Sequence, residues 1–271
     1  MPPGFGCGIS AVGQQLIAAT AAGFCASRLA ETFGFVEGGF QGGKCLAGFF
    51  NLAGQFLFES GKRGFHIGNA LILRDRNRAS VIIWSVGNEN ADTDERLNFM
   101  TSLVNAARDA DPSRLISAAC LVNHAKMKIE DRLTDFLDII GLNEYYGWYE
   151  ENFDDLIVLG KNSSPTKPVV ITETGAEGVL SGHAPKTGPF SEHYMAEVYR
   201  KQTEYLPKLN YVRGFTPWLL YDYRTERRQN PWQQGFNCKG LITADKKTRK
   251  AAFYVLRDFY ETLKKADPSS H

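Results

Sequence analysis

Ser80-Val81-Ile82-Ile83-Trp84-Ser85-Val86-Gly87-Asn88-Glu89-Asn90 is the stretch on which the fold turns. Its first six residues form a continuous β-branched and apolar run, the composition of a strand covered on both faces. Strands of that kind belong to parallel sheets flanked by helices. The run closes on Gly-Asn-Glu, which sets an amide and a carboxylate at its C-terminal end.

Outward from this strand the pattern repeats. Asp92 and Asp94 supply the negative charge that favours a helix N-terminus, and Leu97, Met100, Leu103, Val104 and Ala107 fall on one helical face. Asp111-Pro112 ends that helix. Further strands are predicted over Leu115–Cys120, 137–143, 168–172 and 212–219, with a helix over 192–206. A last helix over 248–263 aligns Ala252, Val255, Leu256, Phe259 and Leu263. Five βα units are readable after residue 78, so the sheet is expected to be parallel.

Composition bounds the rest. The 271 residues are 43% hydrophobic and 23% charged, as in globular proteins, and 31 basic residues face 30 acidic ones. A net charge of +1 gives no electrostatic footing for nucleic acid or a membrane surface. No apolar run reaches the ~18 residues that cross a bilayer. The apolar segment 9–29 lacks a charged start and holds Gln14 and Gln15, which makes a poor signal peptide and favours a cytoplasmic location. Cys7, Cys25, Cys45, Cys120 and Cys238 show no ligand or disulfide spacing, and reduced thiols are expected.

The first 70 residues differ from the rest of the chain. They hold 15 of the 26 glycines but only Glu31, Glu37 and Glu59 of the 30 acidic residues. A helix near 12–33 is readable, interrupted by Gly23, but no buried strand is. The chain is therefore divided into a Gly-rich segment, 1–70, and a βα portion, 71–271.

Chemistry concentrates at two strand ends. Glu89 follows the first strand, where a parallel sheet or barrel opens its ligand-binding mouth. Taken alone, Glu89 or Asn88 equally suits a helix cap. The second is Val169-Val170-Ile171-Thr172-Glu173-Thr174-Gly175, another strand ending in Glu, with a glycine to turn the backbone. Two carboxylates across a cleft are the machinery of glycoside hydrolysis: one protonates the leaving oxygen, the other attacks the sugar or activates water.

With these motifs the sequence resembles glycoside hydrolase family 2. Residues 84–89 resemble the family's acid/base strand and 171–175 its nucleophile strand. The match continues, in the family's order, through Asp138-Ile-Ile-Gly-Leu-Asn-Glu-Tyr-Tyr-Gly-Trp-Tyr149, Trp218 after Thr216-Pro217, and Asn237-Cys238-Lys239-Gly240. It covers residues 71 to 260, about 70% of the chain. The resemblance implies a (β/α)8 TIM barrel whose strands 4 and 7 carry the catalytic pair. Glu89 would be the general acid/base and Glu173 the nucleophile of a retaining mechanism, which needs carboxyls about 5–5.5 Å apart. An apolar wall and the Glu173 charge would raise the pKa of Glu89.

Other positions follow from the same resemblance. Asn88 would hydrogen-bond the sugar 2-hydroxyl. Tyr145 would donate to Glu173 and hold it oriented and ionised, a role Tyr146 could exchange with it. Trp218 suits either a platform for the sugar ring or ordinary barrel packing. Asn237 and Lys239 resemble the pair that contacts the sugar carboxylate in the β-glucuronidase branch, and a lysine ammonium suits a uronate better than neutral galactose. Retaining exo-hydrolysis of β-glucuronides is therefore expected, with β-galactosides as runner-up and no cofactor or metal. The block Arg224-Thr-Glu-Arg-Arg228 reads as a solvated loop from which one arginine could reach the cleft. His66, His124, His183, His193 and His271 form no ligand spacing, and Gly4-x-Gly6-x-Gly8 opens no strand–helix unit.

The sequence departs from the family before residue 71. Three βα units should precede Glu89, each βαβ taking about 30 residues, and their motifs are absent from 1–70. The barrel is thus expected to be atypical or incomplete in its first three units. Degenerate strands that close it, replacement by another subunit, and truncation or fusion remain open. Open sheet edges invite association, so a homo-oligomer is expected. The alternative function is a catalytically impaired partial barrel that binds carbohydrate or self-associates.

Overall fold

The computed structural model describes residues 62–180 and 184–266. The helix expected over 12–33, the Gly4-x-Gly6-x-Gly8 pattern and His183 lie outside them.

Five strands form one sheet: β1 (Ile83–Asn88), β2 (Leu115–Cys120), β5 (Ile139–Asn143), β6 (Val169–Glu173) and β9 (Val212–Phe215). They neighbour one another in chain order, and every pairing is parallel. Helix α1 (Lys62–Asp75) precedes the sheet, α2 (Asp94–Ala110) follows β1, α3 (Asp154–Asn162) follows β5, α4 (Glu192–Tyr205) follows β6, and α5 (Ala251–Ala266) ends the fold. This is the repeat of a (β/α) barrel, five strands of which lie among the described residues.

The period of the strands explains how both faces are covered. Trp84 and Val86 on β1, Ile116 and Ala118 on β2, Ile140 and Leu142 on β5, and Val169 and Ile171 on β6 join the large core under the helices. The intervening Ile83, Ile139 and Val170 turn to the other face and form a second cluster with Ile82 and Leu115. Apolar side chains on both sides are why these strands read as continuous runs.

Helix ends follow local chemistry. Thr93 Oγ1 accepts from the Arg96 amide at 3.1 Å to start α2, with Asp94 and Glu95 in its first turn. Ser191 Oγ caps α4 through the Tyr194 amide at 3.0 Å. Helix α5 buries Ala252, Leu256 and Tyr260, and the Tyr260 hydroxyl donates to the Phe215 carbonyl at 2.9 Å, tying that helix to β9.

Several boundaries differ from the sequence reading by a few residues, and two have a plain local cause. The strand expected over 80–85 runs from Ile83 to Asn88, because the Asn88 backbone still pairs with Ala119 across a register shift. The strand expected over 212–219 stops at Phe215. Thr216 donates one more bond to the Ile171 carbonyl, but Pro217 has no N–H to continue the ladder. Short pairs were not legible: β3 (Val122–Asn123) with β4 (Lys128–Ile129), β7 (Gly178–Val179) with β8 (Phe190–Ser191), and β10 (Tyr223–Arg224) with β11 (Phe236–Asn237). The last pair frames the functional site.

Candidate active site

The C-terminal ends of β1, β5 and β6 open on the same edge of the sheet, β5 and β6 as neighbours and β1 separated from β5 by β2. Asn143 on β5 is in register with Glu173 on β6, and the Glu144 amide donates to the Glu173 carbonyl at 2.9 Å. This register brings Tyr145 over the carboxylate. Its hydroxyl donates to Glu173 Oε2 at 2.7 Å. Tyr146 does not share the site: it is 2% exposed within the core, and its hydroxyl has no hydrogen-bond partner among the described residues. Of the two tyrosines expected to be able to donate to Glu173, the structure brings Tyr145 to it and leaves Tyr146 in the core, since adjacent side chains leave this segment in different directions.

At the end of β1, Asn88 and Glu89 turn into the same region. The Glu89 amide donates to the Ala119 carbonyl at 3.0 Å, and its backbone takes φ 50°. A run of polar side chains links the two glutamate strands: Thr172 Oγ1 donates to Asn143 Oδ1 at 2.6 Å, and Asn143 Nδ2 donates to Asn88 Oδ1 at 3.0 Å. Asn88 therefore uses its side-chain oxygen within this run. Asn143 was not singled out by the sequence reading.

Burial falls unevenly on the two carboxyls. Among the described residues no apolar wall covers Glu89, which is exposed, whereas Glu173 is 9% exposed. Burial raises Glu173 to about 7, and the Glu89 charge adds to the rise. The Tyr145 hydrogen bond, the Lys239 charge and Asn143 oppose it without cancelling it. Gly175, two residues on, has φ +143°, and a Cβ there would sit 2.3 Å from the Tyr199 hydroxyl oxygen, so the turn after the strand requires glycine. The half-buried Trp218 is fixed next to this turn by its amide, which donates to the Thr174 carbonyl at 2.8 Å.

Lys239 lies 1% exposed beneath three rings, its Nζ 5.8 Å from the centroid of Tyr145, 5.3 Å from Trp148 and 4.7 Å from Tyr149. It donates to the Tyr149 hydroxyl at 2.9 Å and to Glu177 Oε1 at 3.1 Å. Arg228 Nη2 reaches the same Tyr149 hydroxyl at 2.8 Å, so one arginine of the 224–228 block does enter the site. Asn237 is buried on β11. Its Oδ1 accepts from the Lys239 amide at 3.0 Å, and its Nδ2 donates to the Tyr223 hydroxyl at 3.3 Å. Tyr149, Glu177 and Gln233 were missed. Tyr149 stood inside a quoted motif, and Glu177 stands four residues after Glu173 with nothing local to mark it.

No group of His, Cys, Asp or Glu among the described residues has the geometry to hold a metal ion. None of their helices is long and apolar enough to cross a membrane.

Residues 64–265 match the TIM barrel domain of the glycosyl hydrolases family 2. The chain belongs to that family. Among curated proteins it is 30% identical over 191 residues to a β-glucuronidase of Paenibacillus borealis, covering 67% of this chain and 31% of that one. It is 30% identical over 201 residues to the β-glucuronidase of Homo sapiens, covering 70% of this chain and 30% of the relative. Among solved structures, the Ruminococcus gnavus β-glucuronidase superposes with a TM-score of 0.64 at 26% identity, over 76% of this chain and 36% of that one. The chain thus spans about a third of the length of these relatives. Within the family 2 barrel, the five described strands bear the two glutamate motifs.

Proposed function

We propose that the chain provides the catalytic part of a retaining exo-β-glycosidase that hydrolyses β-glucuronides, with Glu173 as nucleophile and Glu89 as general acid/base. The observation that carries this reading is the hydrogen bond from Tyr145 to Glu173 at the mouth of the sheet. It orients a buried carboxylate and favours its charged form where a sugar ring would enter. The relatives, named as β-glucuronidases, support the same class.

In the first step Glu173 attacks the anomeric carbon while the Glu89 proton passes to the glycosidic oxygen as its bond to the sugar breaks. In the second, Glu89 takes a proton from water, whose oxygen displaces Glu173. Forming the glycosyl ester removes the Glu173 charge, and its return on hydrolysis is eased by Tyr145. Asn88, with its Oδ1 engaged by Asn143, offers an N–H to the 2-hydroxyl. Trp218 offers its ring to the sugar. Lys239 and Asn237 are assigned to the uronate carboxylate, and the cationic Lys239 and Arg228 around Tyr149 favour that substrate over a galactoside.

Aryl β-glucuronide and β-galactoside hydrolysis by wild type, Glu173→Gln and Glu89→Gln tests the assignment. Loss of turnover in Glu173→Gln, with the β-anomer as first product of the wild type, is expected. Equal rates in all three would sink it, and sugar binding without turnover in the wild type would favour a catalytically impaired barrel. The reading also includes the division at residue 70 and self-association of the chain. Limited proteolysis checks the first, and sedimentation of the full chain checks the second.

A further inference from the structure

The Lys239 ammonium is already paired within the site, and its partner is a carboxylate that the catalytic scheme does not use. Glu177 is 0% exposed and accepts four hydrogen bonds. Gln233 Nε2 donates to both of its oxygens, at 2.6 and 2.7 Å, Lys239 Nζ to Oε1 at 3.1 Å, and the Cys238 amide to Oε2 at 3.3 Å. All three of its partners thus lie on the segment 233–239, while Glu177 itself stands on the loop that follows β6. We propose that Glu177 is a positioning and specificity-determining residue that fixes Lys239 for recognition of an acidic sugar; the inference rests on the β-glucuronide reading above.

Two physical arguments carry it. A lysine has three donors. Glu177 and Tyr149 take two of them and so aim the third, leaving a single direction in which the ammonium meets a ligand. Charge is the second argument. Lys239 and Arg228 both donate to the Tyr149 hydroxyl, which turns that hydroxyl's own proton outward as a donor. Glu177 neutralises one of the two cations. One positive charge is left, matching the single negative charge of a uronate. Without Glu177, Lys239 would be a buried cation without its ion-pair partner, and its side chain would be free to leave the three rings. A glucoside, which differs from the glucuronide by CH2OH in place of the carboxylate, gains nothing from this arrangement.

The test compares kcat/KM for p-nitrophenyl β-glucuronide and β-glucoside in the full-length wild type, Lys239→Gln and Glu177→Gln. Glu177→Gln keeps size and an acceptor oxygen but removes the charge. It is expected to lower the glucuronide-to-glucoside ratio at least tenfold, mainly through KM for the glucuronide. An unchanged ratio, or a parallel fall for both substrates, overturns the proposal. Absence of a glucuronide preference in the wild type overturns the β-glucuronide reading and this inference with it. A preference lost in Lys239→Gln but kept in Glu177→Gln overturns this inference alone. If Glu177→Gln does not fold, Gln233→Leu decides instead, because it loosens Glu177 while leaving the charge pair. A ratio reduced threefold or more supports the positioning role, and an unchanged one rejects it.

Discussion

The Tyr145 hydroxyl donates to Glu173 Oε2 at 2.7 Å, from the end of one strand to the end of its neighbour. A hydrogen bond to a charged group contributes about 1.5–3 kcal/mol. Tyr145→Phe is therefore expected to lower kcat/KM by about 10- to 100-fold while leaving the thermal midpoint nearly unchanged. Steady-state kinetics and a melting curve check both. A variant at wild-type rate would remove Tyr145 from the mechanism.

Burial raises Glu173 to about 7. In its proposed role as nucleophile it acts ionised, so kcat/KM is expected to fall as pH drops below about 7, with the slope of a single proton. Tyr145 favours the ionised form, and its loss moves this limb to higher pH. A pH profile of wild type beside Tyr145→Phe measures the displacement. A limb that stays put in the variant would separate the tyrosine from the titration.

A second buried carboxyl lies behind the site. Glu144 is 3% exposed, and burial raises it from 4.5 to about 7 against hydrogen bonds from Gln202 and the Tyr146 amide. Its proton is held more tightly in the folded chain than in the unfolded one. The resulting stability is fully present below the unfolded value near 4.5 and is lost as pH rises through about 7. The displacement amounts to about 3 kcal/mol. Glu173 and, at about 6, Asp222 act in the same direction, so the contribution of Glu144 is read by difference. Glu144→Gln is expected to flatten the fall in unfolding free energy between pH 4.5 and 7. Parallel urea-derived curves for the two proteins would reject it.

Away from the site, Arg96 and Asp131 pair through two bonds at 2.6 and 2.8 Å, with side chains 2% and 0% exposed. Asp131 also accepts from the Leu121 and Leu133 amides, so it joins α2 to the segment after β2. Removing one member of a buried pair costs about 3–5 kcal/mol. Asp131→Ala should lower stability by that amount in urea unfolding. Because the pair is shielded from solvent, the loss should change little between low and high salt.

The sheet was legible because both of its faces are covered. Leu115–Cys120 reads as a strand from its residues alone and is one, and the runs around Ile83, Ile139 and Val169 needed only their ends moved. On β1 the end moved because a site residue occupies it: Gly87 and Asn88 have no strand preference, yet Asn88 pairs with Ala119. Pro217 is the opposite case, a residue whose missing N–H stops a strand that its apolar neighbours would extend. Two-residue pairs such as β10 with β11 have too few residues to show a period.

For this protein the sequence by itself determined the family, the order of the βα units and the two strand-terminal glutamates. Each rests on local pattern: hydrophobic period, turn residues and short motifs. Only the tertiary structure decided which neighbours act on those glutamates. Tyr145 and Tyr146 are adjacent and chemically alike, and the register of Asn143 with Glu173 is what separates a site residue from a core one. The pairing of Lys239 with Glu177 spans 62 residues and exists because the loop after β6 packs against the segment after β10. A contact of that length depends on how two loops meet, and no local preference of either loop encodes it.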